Sequence, residues 1–139
     1  MRTFIKKRSV KSGLPPGTLI HIGEKKSDAV KINVMDYDEN HVTEKEIKDL
    51  NECFAFKELP SITWIDIEGL HDIDLLEKLG NHFGLHPLVQ EDILNTDQRP
   101  KLEEFDNYVY IVLKMFHQKK SGNEVIPEQV SIILGKNFV

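Results

Sequence analysis

Two adjacent carboxylates, Glu91 and Asp92, are the residues whose type and setting point most directly to chemistry. They lie in the run Leu88-Val-Gln-Glu-Asp-Ile-Leu-Asn95, which reads as a helix opened by His86-Pro87, because proline's missing amide costs nothing at the first helical position. With Leu88 set to zero, Val89 falls at about 100°, Ile93 at about 140° and Asp92 at about 40°. Asp92 is therefore expected within the apolar arc. An ionised carboxylate there is costly unless it is paired, coordinated or left at an interface open to water and ions. Glu91, at about 300° on the same count, borders that arc and can add a second oxygen. Oxygen donors suit hard divalent cations such as magnesium, which keeps several waters and takes one or two carboxylates from protein. The structural alternative is that Asp92 pairs with Arg99 or a nearby lysine and fixes the helix against the loop that follows.

Other constellations carry less. His71-Asp72-Ile73-Asp74 has the residue types of a metal cluster, but aspartates at a helix start are satisfied by capping amides and the helix dipole. His82 and His86 are spaced as one helical turn, yet Gly84 and Pro87 break the helix that would align them for zinc. Glu103, Glu104 and Asp106 read as a solvated strand edge, with a field that draws hydrated cations. No G-x-S-x-G, phosphate-cradling glycine loop or Cys-His arrangement is present, so no catalytic residue is assigned. A metal-dependent enzyme built on Asp66, Glu68 and Asp92 would lack a further ligand and a base. Trp64, Phe83, Phe105, Tyr108 and Tyr110 fall on expected core positions, where packing accounts for them.

The elements that must position these residues form a mixture of helices and strands. Leu14-Pro15-Pro16-Gly17 separates a basic tail, residues 1–17 with Lys6, Lys7 and Arg8, from a domain over 18–139. Strands are expected over Thr18–Gly23 and Val30–Tyr37 as neighbours, with Asp38-Glu39-Asn40 as a stop. Thr43-Glu-Lys-Glu46 spells a capping box with Val42 and Ile47 as a staple, which predicts a helix over about 44–52. An interior strand follows over Ile62–Ile67. A helix then starts at Asp72, carries Ile73, Leu76, Leu79 and Phe83 inward and stops at Gly84, and the Glu91–Asp92 helix succeeds it. Beyond the Gln98-Arg99-Pro100 break, where Arg99 is expected to anchor the loop, the runs Asn107–Phe116 and Gln129–Leu134 predict antiparallel strands linked by Lys119–Asn123. Strands and helices without strict alternation predict an α/β class of α+β character: a mixed parallel and antiparallel sheet with helices packed on its faces.

Composition bounds the function. With 139 residues, 40% hydrophobic and 29% charged, the chain fits one ordinary globular domain. A formal net charge of −5 argues against a nucleic-acid partner and is compatible with attracting cations. The longest apolar run, Tyr108–Met115, is interrupted by Lys114 and falls far short of the roughly 20 residues that span a bilayer. The single Cys53 excludes an internal disulfide and reads as a small buried apolar side chain.

The ordered pieces W-I-D-I-E-G-L-H, F-G-L-H-P-L-V-Q-E-D-I-L-N and Q-R-P-K-L-E-E-F-D-N-Y-V-Y-I-V-L-K, from residues 64 to 114, resemble the cytoplasmic N-terminal domain of the CorA family of magnesium and cobalt transport proteins. The likeness is strongest from about residue 60 to Val139. It implies a domain at the cytoplasmic face of the plasma or inner membrane, in an assembly of five identical subunits, with no organic cofactor and no small-molecule substrate beyond divalent cations. It also implies that Asp92, with Glu91, binds regulatory Mg2+, or Co2+, where neighbouring subunits meet. The family's Gly-Met-Asn pore signature and stalk helix are not within these residues, so this chain alone is not expected to conduct ions. A zinc transporter of the same superfamily is the alternative that the resemblance leaves open.

Overall fold

The structure is a computed structural model and describes residues 12–23, 29–119 and 122–139. Lys6, Lys7, Arg8 and part of the Lys119–Asn123 link lie outside the described residues. Six strands and three helices occur among those described.

The first sheet has the order β2-β1-β3, from β1 (Lys31–Tyr37), β2 (Val42–Ile47) and β3 (Ile62–Glu68), all antiparallel. Along β1 the alternation of Ile32, Val34 and Asp36 buries one face, as a half-covered strand requires. Buried Asp36 accepts from Ser61 Oγ at 2.8 Å and Thr63 Oγ1 at 2.7 Å, so its charge is not left unpartnered. The β1–β2 turn is held by Asp38 Oδ1, which accepts from the amides of Asn40 at 2.7 Å and His41 at 3.1 Å.

Two expectations fail in this half. Thr18–Gly23 forms no strand beside β1; Ile22 instead makes a parallel bridge to Asn95, donating to Leu94 O at 2.9 Å and accepting from the Thr96 amide at 3.0 Å. The capping box at Thr43–Glu46 does not start a helix. Those residues pair with Asp36 to Asn33 in β1, and Ile47 is buried opposite Ile32. Three of the six β2 residues are β-branched, and cross-strand pairing satisfied the amides that a cap would have served. The helix, α1 (Leu50–Phe56), begins at a second capping signal, where Asp49 Oδ1 accepts from the Asn51 amide at 3.0 Å. Cys53 sits within it, fully buried.

α2 (Ile73–Phe83) and α3 (Pro87–Leu94) follow the expected bounds: Asp72 caps α2, Gly84 ends it in a left-handed turn at φ 72°, and Pro87 opens α3. α1 and α2 pack on Ile32, Val34, Ile65 and Ile67 of the first sheet.

The second sheet has the order β4-β5-β6, from β4 (Lys101–Glu104), β5 (Tyr108–Gln118) and β6 (Val125–Gly135). β5 and β6 form the expected antiparallel pair, running from Tyr108 opposite Gly135 to Gln118 opposite Val125. α3 lays Val89 on Tyr108, Tyr110 and Val112 of this sheet. The two sheets meet at the chain's last residues. There the Thr63 amide donates to Asn137 O at 3.0 Å and the Ile65 amide to Val139 O at 2.8 Å, and Phe138 runs parallel to β3. The mixed character of the sheet comes from this junction, which also makes β3 interior.

The reverse faces of both sheets are open. Met35, Val42, Ile62 and Trp64 are exposed on the first, and Leu102, Met115 and Leu134 on the second. Trp64, expected in the core, is 49% exposed: it stands opposite Met35 on the face that no helix covers.

Candidate functional site

α3 is fixed from three sides before its carboxylates enter. At its start, His86 Nδ1 accepts from the Leu88 amide at 3.2 Å, while the His86 amide donates to the buried Tyr108 hydroxyl at 3.0 Å. On its inner face Val89 and Leu94 are buried, together with Gln90, whose side-chain amide donates to Asn81 Oδ1 and Leu85 O, each at 3.0 Å. At its end Asn95 O accepts from Gln129 at 3.1 Å, and Lys114 reaches Thr96 O at 2.9 Å.

The buried arc thus runs through Val89, Gln90, Ile93 and Leu94, and Leu88, expected on the apolar side, is 47% exposed. This corrects the expected orientation. Asp92 shares the outward side with Leu88 rather than being sunk among apolar neighbours. Gln90, whose side-chain NH2 is satisfied by Asn81 and Leu85, took a core position, which rotated the arc away from the hydropathy pattern.

Glu91 and Asp92 both border an open cleft of about 400 Å3, lined also by Leu14, Pro15, Pro16, Thr18 and Leu88. Glu91 Oε2 accepts from the Gly17 amide at 2.6 Å, which ties the Pro-Gly break to α3. Asp92 is partnered on both oxygens. Lys101 Nζ lies 2.6 Å from Oδ2, and Gln98 Nε2 lies 2.8 Å from Oδ1. Lys101 also reaches Glu103 Oε1 at 2.7 Å and sits 5.3 Å from the Tyr110 ring centroid. Burial works against the Lys101 ammonium, but its bonds to Asp92 and Glu103 outweigh it and raise the pKa above the ordinary lysine value. Asp92 therefore has the structural partner foreseen as the alternative, a lysine and not Arg99. Arg99 is exposed and makes no ion pair among the described residues; Gln98 and Lys101 hold the loop instead.

The donor chemistry at the cleft fits a hydrated magnesium ion. It offers two carboxylates and room for retained water, and no lining residue is a histidine or cysteine. It does not form a closed cage: no group of three or more His, Cys, Asp or Glu among the described residues is placed to hold a metal. That applies equally to His71-Asp72-Ile73-Asp74, where Asp72 Oδ1 serves the Leu75 amide at 3.0 Å, and to Asp66 and Glu68 on β3 with Asp92 on α3. His82 stacks on Phe54 at 4.2 Å while His86 caps α3, so the two histidines have separate structural tasks. Glu103, expected on a solvated edge, is drawn into the Lys101 pair, and Glu104 is exposed. Gln98 and Gln129 escaped sequence reasoning, which foresaw a nearby lysine without singling out Lys101. Lys114, breaking an apolar run, was the visible signal of a half-buried polar anchor.

A profile of the family described as CorA-like Mg2+ transporter protein matches residues 60–139. The chain belongs to this family. It is 48% identical over 134 residues to the cobalt/magnesium transport protein CorA of Thermotoga maritima, an alignment that takes in 96% of this chain and 38% of that protein. It is 32% identical over 77 residues to the magnesium transporter ALR2 of Saccharomyces cerevisiae, covering 55% of this chain and 9% of that one. The soluble domain of CorA from Methanocaldococcus jannaschii aligns in space over 79% of this chain and 38% of that chain, at 14% identity and a TM-score of 0.48. No helix among the described residues is long and apolar enough to cross a membrane.

Proposed function

We propose that the chain is the cytoplasmic regulatory domain of a CorA-like Mg2+/Co2+ transporter, in which Asp92 and Glu91 sense magnesium where identical subunits meet, five to a ring. The observation that carries this reading is the presence of both carboxylates on one open cleft beside exposed Leu88 and Leu14, in a chain of this family. An acidic pair flanked by exposed apolar side chains is suited to a surface that another subunit covers. Gln98 orients the Asp92 carboxylate and the Gly17 amide orients Glu91, so neither has to be ordered when a neighbour arrives.

Bound magnesium would supply the positive charge that offsets carboxylates of like sign facing one another between subunits. Without it, Asp92 and Glu91 repel the acidic groups opposite and favour a looser arrangement, a population shift driven by differential affinity for two states. The cleft's oxygen donors favour a hard cation over the zinc alternative.

The test is transport by the parent transporter as internal magnesium is raised. Asp92→Ala and Asp92→Lys are expected to weaken magnesium-dependent inhibition, the lysine more strongly. Inhibition indistinguishable from wild type in both would overturn the proposal.

A further inference from the structure

Asp92 meets a cation within its own chain. Lys101 and Glu103 are two residues apart on β4 and so project to the same side, the side of Tyr110 and Val112 that α3 covers. The Lys101 ammonium stands between Asp92 Oδ2 at 2.6 Å and Glu103 Oε1 at 2.7 Å, over the Tyr110 ring. Both side chains of the Asp92–Lys101 pair are only about a quarter exposed, at 27% and 26%, so the pair is shielded from water and salt more than a surface bridge is. Asp92, Glu103 and Lys101 together carry one negative charge. A cation approaching Asp92 therefore meets a carboxylate already half neutralised and an ammonium of its own sign.

We propose that Lys101 is an internal competitor for magnesium at Asp92: its ammonium occupies the carboxylate in the cation-free chain, and it sets both the concentration and the charge of the ion that can take its place. This rests on the sensing reading above and adds a specificity-determining residue to it. A potassium ion brings no more charge than the ammonium and lacks its directed hydrogen bonds, so it gains nothing by exchange. A divalent ion brings twice the charge and can hold the carboxylate through its water shell as well as directly. With a neutral side chain at 101, Asp92 and Glu103 would converge on one point without a counter-charge, and any small cation would be drawn there.

The experiment is a magnesium titration of the chain, followed by backbone amide shifts in low and high potassium chloride, for wild type, Lys101→Met, Lys101→Arg and Lys101→Met/Asp92→Asn. Lys101→Met is expected to tighten the dissociation constant read at Asp92 by about tenfold or more and to make it sensitive to potassium. Lys101→Arg should stay within about threefold of wild type because the charge is kept, and Asp92→Asn should cancel the gain. Lys101→Gln carries the same expectation as Lys101→Met should the methionine variant lose its dispersed spectrum. Wild type that binds at Asp92, with Lys101→Met or Lys101→Gln binding no tighter, would overturn the competitor role and leave the sensing reading standing. Shifts at residues 91 and 92 in none of these proteins would overturn the competitor role, while the sensing reading, whose site is shared between subunits, falls only with unchanged inhibition in the transport test.

Discussion

The two hydrogen bonds that hold Asp92 differ in strength. The ammonium of Lys101 makes a short charge-assisted bond, and the neutral amide of Gln98 a weaker one. The geometry of the carboxylate is therefore set by Gln98 and its electrostatics by Lys101. Cys53 is the opposite kind of residue, with no polar work to do. Burial pushes its thiol up to about 11, and the neighbouring Glu52 carboxylate acts in the same direction. The sign follows directly. The folded chain holds the proton while the unfolded chain loses it from an ordinary pKa of 9.0, so stability is full below that value and falls as pH rises toward about 11. Native protein at pH 8 is expected to resist thiol alkylation and to be labelled at once in denaturant. Rapid labelling of the folded chain would show that α1 opens locally.

Among the elements, α3 owes its place to α2 as much as to its own sequence. Gly80 lies in the middle of α2, where alanine would ordinarily gain about 1 kcal/mol of helix propensity. A Cβ there would come within 2.6 Å of Gln90 Cδ, so the absence of a side chain is what lets α3 close on α2. Gly80→Ala is expected to destabilise the chain by about 1–3 kcal/mol in urea unfolding, and to move the amide resonances of Glu91 and Asp92. A neutral or stabilising result would mean that Gln90 can swing aside freely. The bounds of α2 and α3 were legible in sequence because Asp72, Gly84 and Pro87 act through neighbouring backbone atoms. The false helix at Thr43–Glu46 arose for the complementary reason. Two capping signals stood six residues apart, and the choice between them fell to β1, whose pairing claimed the first.

For the molecule as a whole, helices cover one side of each sheet, and Trp64 with Met35, Ile62 and Val42 stands on the other. The Trp64 fluorescence of the chain is expected to be red-shifted and readily quenched by iodide or acrylamide. Blue-shifted, protected emission would mean that this face is covered in solution. The family, the mixture of helices and strands, the β5–β6 pair and the position of Glu91 and Asp92 on a helix were all readable from residue order, since each depends on local chemistry or on an ordered set of motifs. Tertiary structure alone decided which side of that helix faces inward, that Ile22 ties to Asn95, and that Lys101 rather than Arg99 meets Asp92. Those outcomes depend on partners in other elements, Gly80 under Gln90, Leu94 beside Ile22 and Tyr110 beneath Lys101, and a hydropathy period within one element has no means of registering them.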